Sequence, residues 1–172
     1  MIHRDVKPQN VVVGNFGETI VLDWGLASVS VAETEVVREQ WDDEHILSPE
    51  ESVETLQGSV AGTPGYMPPE QAGSEFDQVG VHIDIYSLGA MLYHMITGQT
   101  AFQGGRAMSE VLEDICEGRF ARPRSINSSA SRALEAICLK AMQRRPRDRY
   151  EAVKQLSDDV ERFLADEPVS VH

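Results

Sequence analysis

Apolar positions cluster in short β-rich runs near the start of this chain and settle into helical spacing over most of the remainder. Val11-Val12-Val13 and Ile20-Val21-Leu22 flank Gly14-Asn15-Phe16-Gly17, and two β-rich runs around a Gly/Asn turn predict a hairpin. From about Ala27 to Val60 little period is visible. After Gly62-Thr63-Pro64-Gly65 the spacing turns helical. Asp84 to Thr97 is apolar all round, the pattern of a fully buried helix, and Gly98 stops it. Met108, Val111, Leu112 and Ile115 recur at helical spacing within Ala107 to Glu117. Leu134, Ile137, Cys138 and Ala141 do so within Ser131 to Gln143. Val153, Leu156, Val160, Phe163 and Leu164 form the stripe of a last helix, Tyr150 to Ala165. The expected fold class is mainly α with a small β-hairpin.

Composition narrows the picture. The 172 residues are 41% hydrophobic and 25% charged, enough for one domain with a sizeable core. A net charge of −13 argues against a nucleic-acid partner, which would need a basic face against phosphates. Nine of the acidic residues fall between Glu33 and Glu54, where Arg38 is the only base; the run reads as a solvated loop, with docking of a basic partner as the lesser alternative. Cys116 and Cys138 lie in apolar helical patterns and are read as buried reduced thiols. His45, His82, His94 and His172 have no metal-ligand spacing, and Met91, Met95 and Met142 read as core filler. Met1 to Asn10 is polar and contains Pro8, so no signal peptide is expected. The apolar stretch Ile83 to Ile96, broken by Asp84, Ser87 and His94, is too short and too polar to span a bilayer. The expected location is cytoplasmic, with membrane anchoring left open for a longer parent.

The residues that carry chemistry come in a fixed order. His3-Arg4-Asp5-Val6-Lys7-Pro8-Gln9-Asn10 sets a carboxylate, an ammonium and an amide on one short loop, three polarities within reach of one phosphate. A match to His-Arg-Asp-x-Lys-x-x-Asn arises by chance on the order of once in a few million windows. Asp23-Trp24-Gly25 follows at the end of the hairpin. Then come Gly62-Thr63-Pro64-Gly65-Tyr66-Met67-Pro68-Pro69-Glu70, Asp84 opening the apolar helix, and Arg144-Arg145-Pro146-Arg147-Asp148-Arg149-Tyr150. Asp84 also has a local reading as a helix N-cap. His3 alone reads as a packed framework residue.

From residue 3 to about 165 this order resembles the protein kinases, and most of all the eukaryotic-like serine/threonine kinases of bacteria. The resemblance implies the C-terminal lobe of the kinase fold, with the N-lobe absent. It divides the chain into a C-lobe over 1–165 and a tail over 166–172. Within the lobe lie a catalytic loop over 3–10, an activation segment over 23–70 with the acidic insert, and a helical subdomain over 71–165. It makes Asp5 the base that accepts the substrate hydroxyl proton and Lys7 the neutraliser of charge on the transferred phosphoryl group. It makes Asn10 and Asp23 the Mg²⁺ ligands, Val12 the floor of the adenine pocket, and Trp24-Gly25 the variant of the usual Phe-Gly pair. Thr63 would hydrogen-bond Asp5 and Lys7, Glu70 would pair with Arg149, and Asp84 would hold the catalytic-loop backbone. Arg4 implies regulation by an activation-loop phosphate, with Ser48, Ser52, Thr55 and Ser59 as candidate acceptors.

The implied activity is ATP- and Mg-dependent phosphoryl transfer to Ser/Thr hydroxyls of a protein substrate. The alternative is a non-catalytic interaction module built on the same lobe. No Gly-x-Gly-x-x-Gly occurs, and Lys7, Lys140 and Lys154 are the only lysines. Weak ATP binding by the chain alone is therefore expected, as is apolar surface around Val12 and Leu22 open to a missing N-lobe or to self-association.

Overall fold

The structure, a computed structural model, describes residues 1–27, 63–73, 80–103 and 105–171. The acidic run and the four candidate phosphate acceptors lie outside these residues.

Strands β1 (Val11–Val13) and β2 (Thr19–Val21) pair antiparallel with Val12 opposite Ile20. Gly17 closes the turn at φ 86°, a conformation that costs a residue without Cβ little. The second strand begins one residue earlier than its apolar run. The Leu22 amide then donates to the Asn10 carbonyl at 2.7 Å, carrying the pairing back to the first loop.

The helices follow: α1 (Pro69–Ala72), α2 (His82–Thr97), α3 (Met108–Glu117), α4 (Pro123–Ile126), α5 (Arg132–Ala141) and α6 (Val153–Leu164). Gly98 and Gly118, at φ 74° and 64°, end α2 and α3 in the left-handed region. Ser131 caps α5 by accepting from the Ala133 amide. The long helix α2 runs between two cores. Tyr86, Tyr93, Phe102 and Ile115 build one, whereas Ile85, Ile137, Tyr150 and Leu156 build the other. α2 is not buried all round, because Met95 near its end is 74% exposed, and of the three methionines read as filler only Met142 is fully buried. Cys138 is buried, and that burial pushes its thiol up to about 12; Cys116 is only partly covered.

Helices α2 and α5 approach most closely at Gly89. A Cβ there would lie 2.7 Å from the Ala141 Cβ and 3.0 Å from the Met142 Cγ, inside contact distance. Gly89→Ala is expected to force the helices apart and cost about 1–3 kcal/mol, seen as a lower urea midpoint at unchanged slope. A midpoint equal to the parent's would show that the contact relaxes freely.

Past α6 the chain turns at Asp166, φ 57°, and comes back over the second core, where Val169 and Val171 pack. These residues, set apart in the sequence as a tail, are docked on the domain. No helix among the described residues is long and apolar enough to cross a membrane.

Candidate active site

The first ten residues form a loop whose shape is imposed from α2. Arg4 sits at φ 71°, an uncommon conformation for a side-chain-bearing residue. It is held by Asp84, whose Oδ2 accepts from the His3 amide at 2.8 Å and Oδ1 from the Arg4 amide at 2.9 Å. Asp84 lies within the first turn of α2 rather than at its N-cap, which is Val81 and offers no capping side chain. A carboxylate in that turn also suits the positive end of the helix. Pro8 then opens a short 3₁₀ turn to Asn10, matching its fixed φ to the first helical position.

That loop gathers the polar groups. Lys7 Nζ donates to Asp5 Oδ2 at 2.5 Å and to Thr63 Oγ1 at 3.1 Å. Asn10 Nδ2 donates to the Asp5 carbonyl at 2.9 Å and reaches Asp5 Oδ2 at 3.3 Å. Thr63 thus meets Lys7, and Lys7 stands between it and Asp5; no hydrogen bond joins Thr63 to Asp5. Asp5 is partly buried and Asn10 fully so. A carboxylate with an ammonium on one oxygen is fixed in position yet keeps lone pairs for a further donor.

His3 ties this loop to the hairpin. Its buried ring meets the Leu22 carbonyl through Nε2 at 2.9 Å and packs on Trp24 with ring centroids 4.7 Å apart. Trp24 Nε1 donates in turn to the Val21 carbonyl. Between Leu22 and Trp24, Asp23 takes φ 60° and stands exposed, with Gly25 next to it. Val12 and Leu22 are each 45% exposed beside it, and Phe16 at the hairpin tip is 97% exposed.

The segment holding Thr63 is anchored on its other side. The Tyr66 amide donates to the Thr63 carbonyl, the Tyr66 carbonyl accepts from Ser87 Oγ at 2.9 Å, and its hydroxyl meets His94 Nδ1 at 2.7 Å. The sequence marks Ser87 and His94 only as breaks in the apolar pattern of α2 and gives neither a part in this anchor. Below them Glu70 and Arg149 form a two-pronged pair at 2.6 and 2.7 Å, almost fully buried on both sides. A shallow recess bounded by Arg4, Asp5, Thr63, Tyr66 and Met67 lies between the loop and this segment. Arg4 Nε is buried there without a hydrogen-bond partner among the described residues.

The sequence matches the family described as the protein kinase domain over residues 1–160. It is 32% identical over 99% of its length to a probable serine/threonine-protein kinase, CPE1738, of Clostridium perfringens. It is 31% identical over 98% to serine/threonine-protein kinase PknD of Chlamydia pneumoniae, and 30% over 98% to serine/threonine-protein kinase PknB of Mycobacterium leprae. The chain spans 22%, 17% and 24% of these three relatives.

Proposed function

The chain belongs to the protein kinase domain family, and from that premise we propose that it is the C-terminal lobe of a kinase that transfers the γ-phosphoryl group of ATP to Ser/Thr hydroxyls of a protein. The observation that carries this reading is the convergence of Asp5, Lys7, Asn10 and Thr63 on a loop that Asp84 holds from the central helix. A hydroxyl brought into the recess beside Asp5 would lose its proton to that carboxylate as it attacks phosphorus. Lys7, already 2.5 Å from Asp5, offsets the negative charge that grows on the transferred group. Thr63 fixes the lysine, so the acceptor segment and the catalytic loop share one register.

Asn10 and Asp23 offer hard oxygen donors, the set that suits Mg²⁺. No three His, Cys, Asp or Glu residues cluster as a metal site among the described residues, which fits an ion completed by phosphate oxygens and water rather than one caged by protein. Bound there, the ion would neutralise the phosphates. Val12 supplies an apolar floor for the adenine ring. The buried Arg4 Nε, with no hydrogen-bond partner among the described residues, supports control by a phosphate on the 23–70 segment, since an unmet guanidinium donor favours an added anion.

Calorimetry of the full chain with ATP and Mg²⁺ tests the reading. Because Val12 and Leu22 are half exposed, binding is expected to be weak. Asp23→Ala is expected to abolish it with only a small fall in melting temperature, since alanine suits the φ of 60° less well than aspartate. Binding that survives Asp23→Ala would remove Asp23 from the nucleotide site and with it the assigned metal ligands.

A further inference from the structure

The carboxylate of Asp159 has no exposure, although it lies in the middle of α6. A buried charge of this kind must find partners, and it has four hydrogen bonds. Oδ1 accepts from the Ser170 amide at 2.8 Å and from Arg162 Nη1 at 3.2 Å. Oδ2 accepts from Ser170 Oγ at 2.7 Å and from the Tyr150 hydroxyl at 2.9 Å. Burial alone would raise the acid's pKa, but the bonds from Ser170, Tyr150 and Arg162 outweigh it and hold Asp159 below the ordinary carboxylate range. The group is therefore charged at neutral pH.

Half of those bonds come from one serine, eleven residues further along the chain. The turn that brings it back is built from the Asp166 amide on the Phe163 carbonyl and the Glu167 amide on the Arg162 carbonyl. Val169 and Val171, on either side of Ser170, pack on the core of Ile137, Tyr150 and Leu156. Ser170 is exposed as a residue, although its hydroxyl is turned onto the buried carboxylate. The family match ends at residue 160, past Tyr150 and Asp159 but short of Arg162 and of Ser170.

We propose that residues 166–171 form a strap latched by Ser170 on Asp159, and that phosphorylation of Ser170 opens it. In that step the Oγ–P bond forms, the bond from Pγ to ADP breaks, and the hydroxyl proton goes to solvent, with ATP as the donor. The modified oxygen can no longer donate to Asp159. A group of nearly two negative charges would instead face a buried carboxylate. Among the described residues the one cation on Asp159 is Arg162, itself about half exposed, too little to hold both anions in place. The strap leaves, and the apolar surface under Val169 and Val171 opens. The inference stands apart from the reading of the active site, because any kinase able to reach Ser170 could act.

Amide hydrogen exchange on the full chain, with phosphoserine placed at 170, is the test. In the unmodified chain the Glu167 and Ser170 amides, both hydrogen-bonded, should exchange at least roughly tenfold more slowly than in a free peptide, the protection lost with phosphoserine while α2 keeps its own. Ser170→Thr, which keeps the hydroxyl, should retain protection; Ser170→Glu should lose it. A phosphorylated strap that stays protected overturns the proposal. So does an unmodified strap that exchanges like a free peptide, or a loss of protection that spreads through α2.

Discussion

Arg149→Leu is expected to destabilise the chain by about 3–5 kcal/mol, the usual cost of leaving a buried charge without its partner. For a domain of this size that is roughly 6–20 °C in melting temperature. Every donor of Arg149 is used: Nε on the Gln143 carbonyl, Nη1 on Glu70 and the His82 carbonyl, Nη2 on Glu70 and the Arg144 carbonyl. The guanidinium also lies 4.9 Å from the Tyr86 ring centroid. Five planar donors cannot be matched by three on a flexible stem, so Arg149→Lys should lose nearly as much. The pair joins α1 to the start of α2 and to the turn before α6, regions far apart in sequence. Thermal and urea unfolding of both variants measure the loss. A cost below about 1 kcal/mol for Arg149→Leu would put this pair in the class of surface ion pairs and remove it as the clamp of the fold.

Asp5→Asn is expected to cut phosphoryl transfer by about 10²–10⁴-fold, the range that a positioned general base contributes. The substitution is nearly isosteric. Asn can still accept from Lys7, so the loop geometry that Asp84 sets should persist, and ATP affinity with it. The readout is single-turnover transfer to a protein substrate by a kinase that contains this chain, beside the melting temperature of the chain itself. Transfer within about fivefold of the parent's, at equal stability, would mean that another group takes the proton, since that loss is far below a base's usual share.

Much of the fold and of the candidate site was legible because the information is local. Gly98 marks its helix end by its own conformational freedom, and Asp5, Lys7 and Asn10 share one loop eight residues long. Glu70 and Arg149 pair across 79 positions, a partnership that only the family resemblance could suggest, because no periodicity carries over such a distance. The strap escaped notice for a related reason. Asp159 sits at the i+3 place after Leu156 and four before Phe163, within the apolar stripe of α6, whereas Leu164 in the expected stripe is 75% exposed. A charge on the buried stripe was the available signal, and its partner at Ser170 lies in a segment with no pattern of its own. The bonds of Ser87 and His94 to Tyr66 were equally silent, since each is a lone polar residue on an apolar helix.

The two bonds from Asp84 also furnish a pair of natural reporters. Amide protons held by a carboxylate are strongly deshielded, so those of His3 and Arg4 should resonate apart from the crowded centre of a nitrogen–proton correlation spectrum. They belong to the two residues just before Asp5, and they need no nucleotide, metal or substrate to be seen. Anything that loosens the grip of the central helix on that loop would move both signals together, whereas an event confined to the hairpin should leave them in place. The assembly of the proposed catalytic loop can thus be followed in the resting protein, before any chemistry is asked of it.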